Sequence, residues 1–229
     1  MKPKSKIEIK WSSSFAYAIG LLATDGSLSK DGRHINFTSK DKNLVELFKN
    51  CLRLKNKTGR KYRAKEDAKK YFQVQFGDVN FYRFLLSIGL TPAKTHIISE
   101  LKVPENYFFD FLRGHLDGDG TFYSYWDPRW HSSFMFYLVF TSASKAHIDW
   151  LRHEIHKRIQ IKGHINRSGK LYQLKYAKAE SIKLLSKIYS RKNTIYLLRK
   201  FNKIKKALNI EIVHNRINAR VEKLADSQA

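Results

Sequence analysis

The sequence predicts an α+β protein of two αββαββα repeats, each an antiparallel four-stranded sheet with helices on one face. Three observations lead there. A short segment occurs twice, as Ala18–Gly26 and Leu112–Gly120. Each copy closes an apolar run, carries small residues four apart (Gly20 and Thr24, Gly114 and Gly118) and ends in Asp-Gly. The final acids, Asp25 and Asp119, lie 94 positions apart (119 − 25 = 94). Second, strand-like and helix-like patterns follow both copies in the same order. Third, 229 residues with 42% hydrophobic content can fold around a sizeable core.

The elements follow in chain order. Phe15–Ala23 and Phe108–Leu116 read as buried helices. Positions i and i+4 share a helix face, so the small residues let the two helices pack side by side. A hairpin comes next. It covers Ser27–Ser39 in the first half, with Ile35 and Phe37 alternating against His34, Asn36 and Thr38. In the second half it runs Thr121–Ser142, with Leu138 and Phe140 alternating against Tyr137, Val139 and Thr141. Helices Lys42–Leu54 and Ser144–Ile159 follow, with Asp41 and Ser144 as N-caps. The second strand pair is clearest in Tyr71–Phe76 and Leu171–Tyr176, apolar and polar at period two. Val79–Ile88 and Ala179–Tyr189 close the units as helices. Leu90–Pro104 reads as a linker, dividing the chain into halves 1–95 and 96–229. Thr194–Leu208 reads as a basic helix, with fraying expected from Glu222. The Tyr123–Phe134 insert, with Trp126 and Trp130, fits either added contacts or a packed loop.

Charge narrows the partner. Lys plus Arg number 44 against 20 Asp plus Glu, a net charge of +24. Such an excess favours a polyanion. No apolar run approaches the roughly 20 residues of a spanning helix, so nucleic acid is preferred to membrane. Lys2–Lys10 with Phe15–Ala23 imitates a signal peptide, but its near-copy at Phe108–Leu116 marks it as a core helix. The lone Cys51 excludes an internal disulfide framework and a cysteine zinc site. The expected setting is intracellular and reducing: a prokaryotic cytoplasm or an organelle matrix, without secretion.

Strand alternation assigns a polar open face to each sheet. In the first half it carries Ser27, Ser29, His34, Asn36, Thr38, Lys61, Arg63, Lys65, Gln73 and Gln75, flanked by Arg33 and Lys40. In the second it carries Thr121, Tyr123, Tyr125, Tyr137, Lys162, His164, Asn166, Gln173 and Lys175. These are donors, acceptors and cations suited to base edges, and a twisted β-ribbon fits a major groove.

Packing the motif helices together brings Asp25 and Asp119 to one place. A carboxylate at a helix C-terminus is disfavoured by roughly 0.3–1 kcal/mol, and two such groups repel. A divalent cation removes both objections; Mg²⁺ commonly uses one or two carboxylates with waters and phosphate oxygens. Gly26 and Gly120 suit the left-handed position that ends a helix.

With these residues in place, the chain resembles the LAGLIDADG homing endonuclease family in its single-chain, two-motif form. The likeness covers nearly the whole chain; the first motif departs at Ala23, where the family often has an acid. It implies two αββαββα units whose sheets form a saddle around a central pair of motif helices. It implies a monomeric, pseudo-symmetric, intron-encoded endonuclease that cuts both strands of a long, near-asymmetric DNA site and leaves short 3′ overhangs. Mg²⁺ is the implied cofactor, with Mn²⁺ as a substitute and Ca²⁺ supporting binding without cleavage. Asp25 and Asp119 would ligate metal, helped by the carbonyls of Thr24 and Gly118. A polar residue at the end of the second strand maps to Ser39 and Ser142. The accompanying lysine maps to Lys94 in the first half and to Lys192 or Arg191 in the second. Lys40 is also near, and Ala143 takes its place in the other half. Asp117 reads as a helix-end structural residue. No obligate protein partner is expected. Two other readings share the fold: an RNA maturase acting on intron RNA, and a cleavage-inactive DNA-binding protein.

Overall fold

The computed structural model describes residues 6–61, 71–130, 133–192 and 194–226, with side chains described as far as Val213 except that of Lys61. The first unit holds α1 (Ser13–Asp25), β1 (Gly26–Leu28), β2 (His34–Ser39), α2 (Lys42–Cys51), β3 (Gly59–Lys61), β4 (Tyr71–Gly77) and α3 (Val79–Ser87). The second holds α4 (Phe108–Gly118), β5 (Thr121–Trp126), β6 (Phe134–Ser142), α5 (Lys145–Ile159), β7 (His164–Ser168), β8 (Leu171–Tyr176), α6 (Lys178–Ile188) and α7 (Leu198–Asp226). Each unit has one antiparallel sheet, ordered β1-β2-β4-β3 and β5-β6-β8-β7. The α+β architecture read from the sequence is the one observed.

The centre of the molecule is the α1–α4 pair. Every residue of Phe15–Ala23 is buried, as expected for a helix apolar on all sides. Ser12 starts α1, its Oγ accepting from the Phe15 N–H at 3.1 Å. The helices cross where Gly20 meets Gly114. A Cβ on Gly20 would stand 2.1 Å from the Phe111 carbonyl oxygen, and one on Gly114 would stand 2.0 Å from that of Tyr17. Only hydrogen fits there. Farther on, a Cβ on Gly118 would stand 2.0 Å from Thr24 Oγ1, so the two C-terminal ends also touch.

Gly26 and Gly120 do not adopt the left-handed conformation expected of them. Gly26 is extended (φ −81°), and Gly120 is not among the glycines with positive φ. Glycine is needed for space: a Cβ would stand 2.6 Å from the Leu22 carbonyl oxygen and 2.7 Å from that of Leu116. The chain turns straight from helix into strand and folds back on its own last turn.

Buried polar groups anchor the centre to the C-terminal segment. Asp117 is fully buried. Its Oδ2 accepts from Tyr17 Oη at 2.7 Å and from the Leu197 N–H at 2.8 Å. Arg113, 1% exposed, donates to the carbonyls of Ile188 and Ile195 and to Asp110 Oδ1. These ties hold 194–197 out of helix, so α7 begins at Leu198, later than the sequence suggested, and runs to Asp226. The Tyr123–Phe134 insert lengthens the β5–β6 ladder, pairing Tyr125 with Met135 and Trp126 with Phe134. Among the described residues, no helix is long and apolar enough to cross a membrane.

Candidate active site and nucleic-acid interface

Asp25 ends α1, and Asp119 immediately follows α4. The Thr24–Gly118 contact brings these ends together. Asp25 is half-buried and Asp119 more open. Burial first, and then the Asp119 charge, push the Asp25 carboxyl up to about 7, against the ammonium groups of Lys94 and Lys200. Asp119 is raised as well by its partial enclosure, with the same two lysines opposing. Two carboxylates thus share one cleft with incomplete neutralisation.

The two lysines sit symmetrically on the helix ends. Lys94 lies in the short 3-10 turn Lys94–His96 and donates from Nζ to the Thr24 carbonyl at 2.9 Å. Lys200 lies on α7 and donates to the carbonyls of Leu116, Asp117, Gly118 and Gly120, at 2.7, 2.9, 3.2 and 2.7 Å. It caps the last turn of α4, where a cation is favoured. Burial lowers both lysines to about 8, although the neighbouring acids act in the opposite sense.

Lys94 is where the sequence placed a lysine. Lys200 was missed. Lys192 is exposed and has no described contact with the acids. Arg191 pairs its Nε with Asp110 Oδ2 at 3.3 Å. Asp110 stands nine residues before Asp119 (119 − 110 = 9), roughly 13 Å away along a helix. Arg191 therefore serves the far end of α4. Ser39 and Ser142 occupy equivalent places at the ends of β2 and β6. Each hydroxyl accepts from the backbone N–H two residues on, at 3.2 Å for Asp41 and 3.1 Å for Ser144. They hold the strand-to-helix turn. Lys40, in the first of these turns, is exposed.

Strand register sorts the remaining residues. In the first sheet Asn36 pairs with Ser27 and Gln75, and Thr38 with Gln73. The intervening Ile35, Phe37, Val74 and Phe76 are buried, so these polar residues share the open face. Lys61 pairs with Tyr71 in β3, and its side chain lies outside the described residues. His34 opens β2 opposite Gly77 with the parity of Asn36, whereas Ser29 and Arg33 lie in the β1–β2 turn, where the Ser29 N–H donates to His34 O at 2.9 Å and His34 Nδ1 bonds Asp31. Arg63 and Lys65 lie outside the described residues.

In the second sheet Thr121 pairs with Val139, Val139 with Lys175 and Lys175 with His164. Thr141 pairs with Gln173, and Gln173 with Asn166. The buried Phe122, Leu138 and Tyr176 mark the opposite face. Tyr123, Tyr125 and Tyr137 stand as a parallel cluster on the open face, with centroids 5.3–6.4 Å apart. Lys162 does not lie on that face. It precedes β7 in a loop whose backbone is held by Arg152 Nε and Glu180 Oε1 from the helix layer. Among the described residues, no three His, Cys, Asp or Glu converge as a metal cage.

Residues 12–89 match the model of the LAGLIDADG-like domain family. No curated protein sequence matches the chain. Full-length DUF199/WhiA from Thermatoga maritima is similar over 96% of this chain and 71% of its own, with TM-score 0.54 and 16% identity. The homing endonuclease I-WcaI, bound to its DNA recognition sequence, is similar over 86% and 88%, with TM-score 0.60 and 12% identity. I-SmaMI, bound to an uncleaved DNA target in the presence of calcium ions, is similar over 91% and 93%, with TM-score 0.59 and 12% identity. Residues 12–89 thus resemble the LAGLIDADG-like domain family in sequence, and the chain as a whole shares the two-unit fold of the homing endonuclease and WhiA structures.

Proposed function

We propose that the protein is a sequence-specific endonuclease that cuts both strands of a long, near-asymmetric DNA site with Mg²⁺ and leaves short 3′ overhangs. One observation carries this reading: the two motif acids converge at the joined ends of α1 and α4, where burial and mutual repulsion raise Asp25 to about 7. The net charge of +24 and the two polar sheet faces favour a nucleic-acid substrate.

The site fits a hard divalent cation. Its donors are the Asp25 and Asp119 carboxylates beside the Thr24 and Gly118 carbonyls, all oxygen, and two carboxylates suffice for Mg²⁺ when phosphate and water complete the shell. When bound, the metal would polarise the phosphodiester and activate water. The chain's own residues do the rest. Asp25 must be deprotonated to accept a cation, so protons compete below about pH 7. Asp119 supplies the second carboxylate and fixes the cleft's pseudo-symmetry. Lys94 and Lys200 hold the helix ends in register and offset part of the acids' repulsion. Thr121 and the polar residues of the first sheet extend donors and acceptors outward from the cleft.

A second reading has its own observation. Lys94 and Lys200 donate to Thr24 and Gly118, the carbonyls that the family resemblance assigns to metal. A cleavage-inactive DNA-binding protein would use lysines in this way permanently. Incubation with a plasmid library of candidate intron-insertion sequences separates the two. Site-specific double-strand cuts with Mg²⁺ but not with Ca²⁺ are expected. Tight, specific binding with no cut under any divalent metal would leave the DNA-binding protein, or a maturase, in its place.

A further inference from the structure

Helix α7 has no counterpart in the first unit, where α3 is followed by the 3-10 turn at Lys94. One side of α7 is buried through Ile204 and Ala207. The other side carries Arg199, Lys203 and Lys206, spaced i, i+4 and i+7 and so aligned on one face. All three are exposed.

The course of α7 follows β5. Lys200 is bonded at the start of that strand, to Gly118 and Gly120. Arg199 and Lys203 then line a shallow hollow with Thr121 and Phe122. Lys206, Asn202 and Asn209 line a groove of about 630 Å³ with Trp126 at the far end of β5. The helix therefore leaves the acid pair and runs outward beside the edge of the second sheet. Arg199 Nε also reaches Asp41 Oδ2, at 2.6 Å, across the boundary between units. Lys203, Lys205 and Lys206 have no acidic partner among the described residues.

We infer that the outer face of α7 is a phosphate-contact rail that holds the backbone of duplex DNA alongside the second sheet and not the first. The inference rests on the duplex-binding reading above. Unpaired lysines beside a polar sheet complement a polyanion, and their spacing along one helix face suits a backbone more than base edges. The rail makes the second half of the interface longer, and its contribution does not depend on sequence.

The test is the salt dependence of binding to a long mixed-sequence DNA duplex. The double variant Lys203→Gln/Lys206→Gln is expected to reduce the slope of log affinity against log salt by about two. Lys203→Arg/Lys206→Arg is expected to keep the slope, as is Lys183→Gln/Lys187→Gln on the exposed side of α6. On a selected target, backbone protection should shrink beside the second half alone. An unchanged slope in the Lys203→Gln/Lys206→Gln protein overturns the rail while duplex binding stands. An equal loss in the α6 variant also overturns it. Failure of the unmodified protein to bind duplex DNA overturns both the rail and the reading beneath it.

Discussion

Asp25 and Asp119 were legible in the sequence because a repeated local pattern carries them. Lys94 was legible because it follows the first unit closely. Lys200 was not, because its place depends on topology. It reaches the acids only after Asp117 and Arg113 pin residues 194–197 and launch α7 back along α4. Lys192, sought by analogy with Lys94, comes eight residues too early (200 − 192 = 8). The acid pair has a measurable consequence. Asp25 binds its proton more tightly folded, at about 7, than at its ordinary 3.8. Its contribution to stability is therefore fully present below pH 3.8 and is lost as pH rises through 7. In chelator at about pH 8, Asp25→Asn should unfold several degrees higher than the unmodified protein, and the two should converge near the ordinary carboxylate pKa. Equal thermal midpoints at the higher pH would contradict the raised carboxyl.

At the scale of elements, the sequence was most readable where a period was long and one face buried. The αββαββα order, the N-caps at Asp41 and Ser144 and the parity of β2, β4, β6 and β8 all follow from alternation against a core. Loops were less readable. Lys162 matches the strand parity in sequence, yet the chain there has left the sheet and is bonded to α5 and α6. The role of Gly26 and Gly120 was also misread, since close approach and backbone handedness both select glycine. The helix crossing gives the sharpest test. Gly114→Ala would drive a methyl to 2.0 Å from the Tyr17 carbonyl oxygen, which is backbone and cannot swing aside. The helices must separate, at a cost of about 3 kcal/mol or more. Chemical denaturation should show that loss, whereas Gly32→Ala, with nothing within 4 Å of its Cβ, should lose only the smaller penalty of its left-handed backbone. Equal losses in the two variants would contradict the close crossing.

Across the whole molecule, pseudo-symmetry holds at the centre and breaks toward the edges. The acids, the serines that close β2 and β6, and the two capping lysines are matched between units. Apart from the equivalent pairs Thr38–Gln73 and Thr141–Gln173, the open faces differ. The first carries Ser27, Asn36, Gln73 and Gln75, while the second carries the Tyr123–Tyr125–Tyr137 cluster and is flanked by α7. A duplex read by both faces meets different chemistry on its two halves, which accords with an asymmetric target. Net charge alone points to the proposed polyanionic partner, but the difference between the two faces needed the register of both sheets. The measurement that tests the central claim most directly is a cleavage time course on the selected target in Mg²⁺ with unmodified protein, Asp25→Asn and Asp119→Asn. Double-strand product from the unmodified protein alone, with all three binding the target comparably, is the predicted result. Double-strand product from both variants at the unmodified rate would show that the paired acids do not do the cutting.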